Sequence, residues 1–214
     1  MNSIEIPSPA AMVRSETGTL PGGHPYVTTG NGPRALAVLP GFGDAMFPGT
    51  YPPFSGWAIA PYFGRYLGTH TVCLLSRPRS LPSGYDVDDA VSTHALALEA
   101  ISDSHTAIDV IGISMGGLIG QALTHREPEL IDRLVVANSA CDRLADVDHP
   151  TLVFGGERDP FFPPALARET AAALSNGELE LVPGAKHGAF HERKLAFDAR
   201  VQSFLERDTA GRTS

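Results

Sequence analysis

The sequence has few of the features that indicate a disulfide-bonded or membrane-spanning protein. Its 214 residues include two cysteines, Cys73 and Cys141. Two cysteines in apolar runs are too few for a disulfide framework and favour buried free thiols. No apolar run approaches the ~18 residues that a membrane-spanning helix needs. The first residues also lack the basic start and apolar stretch of a signal peptide. We therefore expect a cytoplasmic protein without a membrane span.

Positive charge is scarce as well. Lysine and arginine together number 16 against 24 acidic residues, which gives a net charge of −8. Because no basic cluster is present, the sequence does not predict nucleic-acid binding. It also lacks a His-x-x-x-His pair, an acidic cluster with metal-ligand spacing and a Gly-x-Gly-x-x-Gly turn after a strand. We therefore expect no metal and no other cofactor.

The order of apolar segments predicts one α/β domain. Helical spacing occurs over 87–102, 115–126, 163–174 and 192–207, and a weaker pattern covers 56–67. Between these segments lie short β-branched runs at 35–40, 71–75, 107–113, 134–137, 152–154 and 179–182, preceded by a weaker pair near 12–20 and 26–29. This alternation predicts a mostly parallel central sheet with helices on both faces. We expect residues 1–214 to form this single domain, with 208–214 as a frayed tail.

The segment Gly112–Gly117 (GISMGG) directly follows one of the predicted strands and opens a predicted helix. It contains the pattern G-x-S-x-G, in which small residues on both sides allow the strained turn that exposes a nucleophilic serine. Ser114 is therefore the candidate nucleophile. The turn also places the Met115 N–H at a helix N-terminus, where it can stabilise a developing oxyanion.

These residues resemble the nucleophile turn of the α/β-hydrolase superfamily, and the resemblance covers nearly the whole chain. Residues 39–43 (LPGFG) resemble the superfamily's oxyanion loop, which follows its third strand. By that likeness, the backbone N–H of Phe42 is the second oxyanion donor. Pro40 stands where the superfamily usually has histidine, which changes a side chain of the loop but not the backbone donor.

The same resemblance implies an acid and a base, in the chain order Ser, acid, His. Residues 155–160 (GGERDP) look like the superfamily's acid loop and place Asp159 at the acid position. Residues 183–188 (PGAKHG) look like the segment with the general base and place His187 there.

Alternatives to both residues remain at this stage. Asp142 follows the preceding strand, where some superfamily members carry the acid, and Glu157 lies two residues before Asp159. His191 is the alternative base within reach of the same loop. Without a catalytic role, Asp159 would be a solvated turn residue ahead of a proline.

Only residues 138–151 separate the predicted strands 134–137 and 152–154, too few for the helical cap that superfamily members often insert there. We therefore expect an open site. The segment 44–57, rich in aromatic residues, is either a wall of an acyl or aromatic pocket or a surface loop packed on itself. The candidate substrate-binding residues are Phe47, Tyr51, Phe54, Trp57 and, beside Asp159, Phe161 and its neighbour Phe162.

Two further residue types have weaker functional interpretations. Arg77 and Arg79 follow the predicted strand 71–75 and either receive an anionic substrate or form a solvated charged pair. His94 lies on the apolar face of the predicted helix 87–102 and is expected in the core. Solvated positions in loops or at helix ends are expected for His24, His70, His105, His125 and His149.

The sequence thus predicts a capless serine hydrolase that cleaves a carboxylic ester or thioester, as a small-molecule substrate, through an acyl-enzyme intermediate. C–C hydrolases and cofactor-free perhydrolases of the superfamily share this triad. A non-catalytic ligand-binding receptor with the same fold is the alternative from another functional class. The sequence is also compatible with a homodimer.

Overall fold

Eight strands form one continuous sheet. A computed structural model describes residues 14–46, 49–140 and 148–207. The strands are β1 (Ser15–Leu20), β2 (His24–Thr29), β3 (Arg34–Leu39), β4 (His70–Leu75), β5 (Ile108–Ile113), β6 (Arg133–Ala137), β7 (Thr151–Gly156) and β8 (Gly177–Val182). Their order across the sheet is β1-β2-β4-β3-β5-β6-β7-β8.

The sheet is mostly parallel, as predicted. Strand β2 runs antiparallel to both β1 and β4, and every other neighbouring pair is parallel. Each predicted strand is present, including the weaker pair at the start. Because parallel strands end at the same edge, the loops after β3, β4, β5, β6, β7 and β8 meet there. This edge carries the candidate site.

The helices follow the predicted pattern except for the first one. They are α1 (Ser55–Ile59), α2 (Val87–Ser102), α3 (Met115–Arg126), α4 (Pro164–Ala173), α5 (Ala189–Glu192) and α6 (Lys194–Leu205). The prediction of a helix over 56–67 is wrong in extent, since α1 ends at Ile59 and turns follow. Pro61 accounts for this end, because proline lacks an N–H and disfavours helical backbone in the residue before it.

The strands bury side chains on both faces, which explains their continuous apolar sequences. On β3, Ala35, Ala37 and Leu39 pack into one core cluster with α2 and α3, whereas Leu36 and Val38 pack into a second cluster with residues of α6. β6 alternates in the same way. The sheet is therefore covered on both sides and holds its strand ends in fixed positions.

The connection between β6 and β7 is too short for a helical cap. Strand β6 ends at Ala137 and β7 begins at Thr151, so that only residues 138–150 intervene. Within the described ranges, no helix is both long and apolar enough to cross a membrane. Cys73 lies buried in β4 as a free thiol, and burial raises its pKa to about 12. Cys141 lies outside the described residues.

A buried ion cluster joins the amino ends of the central strands. The carboxylate of Asp109 on β5 accepts bonds from the Arg34 guanidinium at 2.8–3.0 Å and lies 2.9 Å from His70 Nε2. Arg133 approaches the same carboxylate at 3.6 Å. The expectation of a solvated His70 is wrong, because His70 begins β4 and is buried. This cluster lies at the sheet edge opposite the candidate site, so we assign it to stability.

A second buried pair links β2 to α2. The rings of His24 and His94 meet edge to face with centroids 4.2 Å apart. His24 Nδ1 lies 3.0 Å from the Ser76 carbonyl oxygen, and His94 Nδ1 lies 2.7 Å from the Ala90 carbonyl oxygen. His94 is thus a core residue as expected, whereas His24 is buried rather than solvated. Burial lowers the pKa of His24 despite its hydrogen bond, and burial together with the neighbouring His24 lowers the pKa of His94 to about 3.

This pair predicts a loss of stability in mild acid. In the folded protein the pKa of each of the two histidines lies below the unfolded value of about 6.5. Their contribution to the free energy of unfolding is therefore complete above pH ~6.5 and is lost as the pH falls toward the folded-state pKa. We expect the free energy of unfolding, measured by urea denaturation between pH 7 and 5, to fall less steeply in His94→Leu. The difference in slope should be about 1 kcal/mol per pH unit.

The matched control is His125→Gln, because His125 is exposed on α3. This variant should keep the wild-type slope. Identical slopes for wild type and His94→Leu would contradict the assignment of neutral buried imidazoles.

Candidate active site

Ser114 occupies a strained turn between β5 and α3. Its backbone has φ +52° and ψ −117°, a conformation that residues other than glycine rarely adopt. The Ser114 N–H donates to the Ala137 carbonyl oxygen at the end of β6, at 2.9 Å. This bond fixes the turn against the neighbouring strand and directs the serine out from the sheet edge.

The glycines of the G-x-S-x-G pattern permit this turn. A Cβ atom at Gly112 would lie 2.5 Å from the Gly116 carbonyl oxygen, and a Cβ atom at Gly116 would clash with the Leu39 carbonyl oxygen. The backbones of β3, β5 and α3 therefore approach one another more closely than any side chain allows. This close approach is the structural reason for the spacing seen in the sequence.

The structure brings Ser114, His187 and Asp159 together. His187 Nε2 lies 3.3 Å from Ser114 Oγ, and His187 Nδ1 lies 2.9 Å from Asp159 Oδ2. Asp159 lies in the turn after β7 and His187 in the loop after β8. The line of contacts thus runs from hydroxyl to imidazole to carboxylate, in the geometry of a nucleophile, a base and an orienting acid.

The surroundings of Asp159 keep its carboxylate charged. The residue is 4% exposed, and burial alone would raise the pKa of its carboxyl group. The N–H groups of Phe162 and Phe161 donate to Oδ1 at 3.0 and 2.9 Å, while the Asn138 amide and His187 contact Oδ2. Together these hydrogen bonds outweigh burial and lower the pKa of Asp159.

Asn138 is a part of this cluster that the sequence analysis missed. It follows β6 directly, is 1% exposed and has φ +48°, a left-handed conformation that asparagine tolerates better than most residues. Its Nδ2 donates to Asp159 Oδ2 at 3.0 Å and lies 3.4 Å from the Lys186 carbonyl oxygen. An asparagine immediately after a buried strand was the available signal.

The alternative residues occupy other environments. Glu157 accepts a bond from the Gly184 N–H at 3.2 Å and lies on the surface. His191 is exposed and its ring stacks on Tyr62. Asp142 lies outside the described residues. Of the described carboxylates, that of Asp159 is the one in hydrogen-bond contact with His187.

The loop after β3 lies directly against the serine. A Cβ atom at Gly41 would lie 3.2 Å from Ser114 Cβ. Phe42 begins a 3-10 turn and Met115 begins α3. The first N–H groups of such turns have no carbonyl partner inside the turn. The backbone donors predicted for an oxyanion therefore lie in the two segments that flank Ser114.

Two of the predicted aromatic residues surround His187. The Phe161 ring meets the imidazole edge to face at 5.0 Å, and the Phe162 ring stacks on it at 5.5 Å. Phe161 and Phe42 are 71% and 69% exposed. Such exposed aromatic side chains beside the histidine and the β3 loop leave apolar surface available to a substrate.

The predicted wall at 44–57 has a different placement. Tyr51 hydrogen-bonds Ser76 after β4, and Phe47 lies outside the described residues. Helix α1 packs against β1 and β2. Phe54 and Trp57 are exposed beside or within this helix, with β4 and β3 between β2 and the serine strand β5. This placement favours Phe161 and Phe42 over Phe54 and Trp57 as residues near a substrate.

The two arginines after β4 have different partners. Arg79 forms an ion pair with Asp44 at 3.0 Å and also donates to the Gly49 carbonyl oxygen. Arg77 donates to the Phe42 carbonyl oxygen at 2.9 Å and contacts Met115 Sδ at 3.7 Å. Arg77 therefore touches both residues predicted to flank an oxyanion.

No group of three or more histidine, cysteine, aspartate or glutamate side chains in the described ranges is arranged to hold a metal ion.

Comparisons with known proteins agree with this fold. A family model described as TAP-like protein, of the Abhydrolase_4 family, matches residues 134–213. This segment begins in β6 and contains both Asp159 and His187.

Similar solved structures cover most of the chain. One, described as a predicted CIB-like hydrolase from Thermoplasma acidophilum, is 21% identical with a TM-score of 0.72, over 91% of this chain and 99% of that one. MGS-M2, an α/β-hydrolase enzyme from a Medee basin deep-sea metagenome library, is 15% identical with a TM-score of 0.73, over 89% and 97%. The meta-cleavage product hydrolase CumD from Pseudomonas fluorescens IP01 is 14% identical with a TM-score of 0.69, over 90% and 97%.

At these identities the structural matches establish the fold, and the family match adds the evidence of sequence. The chain thus has the α/β-hydrolase fold, and over residues 134–213 it is also similar in sequence to the TAP-like family model.

Proposed function

We propose that the protein is a serine hydrolase that cleaves a small carboxylic ester or thioester through an acyl-enzyme intermediate. The observation that carries this proposal is that His187 contacts both other residues. Its Nε2 lies 3.3 Å from Ser114 Oγ, and its Nδ1 lies 2.9 Å from Asp159 Oδ2. A serine hydroxyl is a weak nucleophile at neutral pH unless a neighbouring base accepts its proton.

In this mechanism, His187 Nε2 takes the proton as Ser114 Oγ attacks the carbonyl carbon. The N–H groups of Phe42 and Met115 stabilise the resulting oxyanion. Asp159 holds the imidazole and stabilises its protonated form. His187 then protonates the leaving alcohol or thiol. Water, deprotonated by the same histidine, releases the acid from Ser114.

Because the connection between β6 and β7 is too short for a cap, the site is open to a substrate from solvent. Phe161 and Phe42 present apolar surface next to the reacting groups, and their exposure leaves room for a substrate chain. We assign these two residues to contact with the acyl or leaving group. The segment 44–57 then contributes through Asp44, whose carboxylate accepts bonds from the Arg77 N–H and the Arg79 guanidinium.

Covalent labelling tests the nucleophile. We expect wild-type protein to react with a fluorophosphonate probe and Ser114→Ala to remain unlabelled, as read by intact-protein mass spectrometry. Turnover of p-nitrophenyl esters should fall by about 10⁴-fold or more in the same variant. A wild type that does not label, or equal labelling of both proteins, would favour a non-catalytic receptor.

Substitution of the acid tests the role of Asp159. We expect Asp159→Asn to lower kcat by about 10³- to 10⁴-fold, because the imidazolium loses its charged partner and the preferred tautomer changes. Since the pKa of Asp159 is lowered, its carboxylate stays charged in mild acid. The carboxylate of Asp159 should therefore add no ionisation of its own to the mildly acidic part of the wild-type kcat/KM profile.

Glu157→Gln is the matched control, an isosteric change in the same loop, and it should stay within about twofold of wild type. If Asp159→Asn retains activity while Asp142→Asn abolishes it, the acid belongs after β6 instead.

A further inference from the structure

The guanidinium of Arg77 is held beside the residues that flank Ser114. Its Nη2 donates to the Phe42 carbonyl oxygen at 2.9 Å, and its carbon Cζ lies 5.6 Å from the centre of the Phe42 ring. Its Nη1 contacts Met115 Sδ at 3.7 Å. Three contacts with two residues fix the orientation of the planar group in advance of any ligand.

The charge of Arg77 is not neutralised by a described carboxylate. The nearest acidic side chain in its contacts, Asp44, accepts from the backbone N–H of Arg77 and not from its guanidinium. Asp44 is also occupied by the Arg79 guanidinium at 3.0 Å and the Ser76 hydroxyl at 2.7 Å. The Asp44 carboxylate thus pairs with the guanidinium of Arg79 and not with that of Arg77, which leaves a local positive charge.

Arg77 also keeps unused hydrogen-bond donors. Its Nε–H is buried and has no acceptor among the described residues. A guanidinium has five N–H groups in a rigid fork that matches the two oxygens of a carboxylate. A substrate anion would engage the N–H groups of Nη1 and Nη2 that the Phe42 carbonyl oxygen and Met115 Sδ leave over, since the buried Nε–H is out of its reach.

The positive charge at Arg77 contrasts with the negative net charge of the protein. With a net charge of −8, the chain as a whole repels anions. A pre-oriented arginine without a carboxylate partner, next to the serine, is therefore a specific local feature rather than part of a basic surface.

We infer that Arg77 binds a carboxylate of the substrate, so that the preferred substrates are monoesters or monothioesters of short dicarboxylic acids. This inference rests on the proposed function of Ser114. Arg77 contacts Phe42 and Met115, so the bound carboxylate lies a short acyl chain away from the scissile carbonyl. Arg77 is a specificity-determining residue in this scheme, and Arg79 is the residue that holds Asp44 and the loop.

The test compares charged and neutral esters that are nearly identical in shape. Monomethyl and dimethyl esters of succinate, glutarate and adipate would be hydrolysed by wild type, Arg77→Met, Arg77→Lys and Arg79→Met in a pH-stat. We expect the wild-type kcat/KM to favour at least one monomethyl ester over its dimethyl partner by about tenfold or more, as one charge-assisted contact provides.

The variants separate recognition from loop structure. Arg77→Met should lose this preference, so that the ratio of kcat/KM for the monomethyl ester to that for the dimethyl ester falls to about one, whatever the absolute activity. Arg77→Lys should keep part of it, because the charge remains without the fork. Arg79→Met removes the same charge two residues away and should keep the preference, since the partner of Arg79 is Asp44.

The outcomes distinguish this inference from the proposed function. If the wild type is labelled at Ser114 but has the same kcat/KM for dimethyl and monomethyl esters, the proposed role of Arg77 is overturned and the proposed function is not. An Arg77→Met variant in which both kinds of ester lose activity equally overturns that role as well. The wild-type preference remains a valid test even if Arg77→Met fails to fold. A wild type with neither labelling nor hydrolysis overturns the proposed function itself.

Discussion

The backbone of Ser114 at φ +52° is the constraint on which the candidate site depends. A left-handed conformation costs a non-glycine residue about 1–3 kcal/mol, so the surrounding packing must enforce it. Here the enforcement comes from the sheet, because Ser114 N–H bonds to the end of β6 and Gly116 lies against the end of β3. The same packing sets Gly41 against the serine and brings the Phe42 loop within reach. The strained turn at Ser114 and the position of the Phe42 loop beside it are thus products of one close approach of three strands.

The parallel sheet explains how distant residues meet. Asp159 and His187 follow β7 and β8, which lie two and three strands from β5, yet their loops end at the same edge. Asn138, after the intervening strand β6, fills the gap and donates to the carboxylate. Each loop therefore contributes one polar side chain, and together they keep Asp159 charged in a buried place. Arg77, after β4, extends this row on the other side of the serine.

Much of this arrangement could be predicted from the sequence, because strands buried on both faces are continuous apolar runs. The G-x-S-x-G turn carries its own steric explanation, and the positions of Ser114, Asp159 and His187 after strands follow from the resemblance. The placement of side chains within loops was harder to predict from the sequence. Asn138 has no motif, α1 stops early at Pro61, and the burial of His24 and His70 follows from sheet pairing with distant segments. The contact of Arg77 with Phe42 likewise joins loops that are 35 residues apart in the chain.

The most direct test of this account is a crystal structure of the protein after reaction with a fluorophosphonate. The account predicts a phosphorus–oxygen bond to Ser114 Oγ, with the phosphoryl oxygen about 2.7–3.1 Å from the backbone nitrogens of Phe42 and Met115. His187 should remain in contact with Asp159. An adduct on another residue, or a phosphoryl oxygen directed away from both N–H groups, would contradict it.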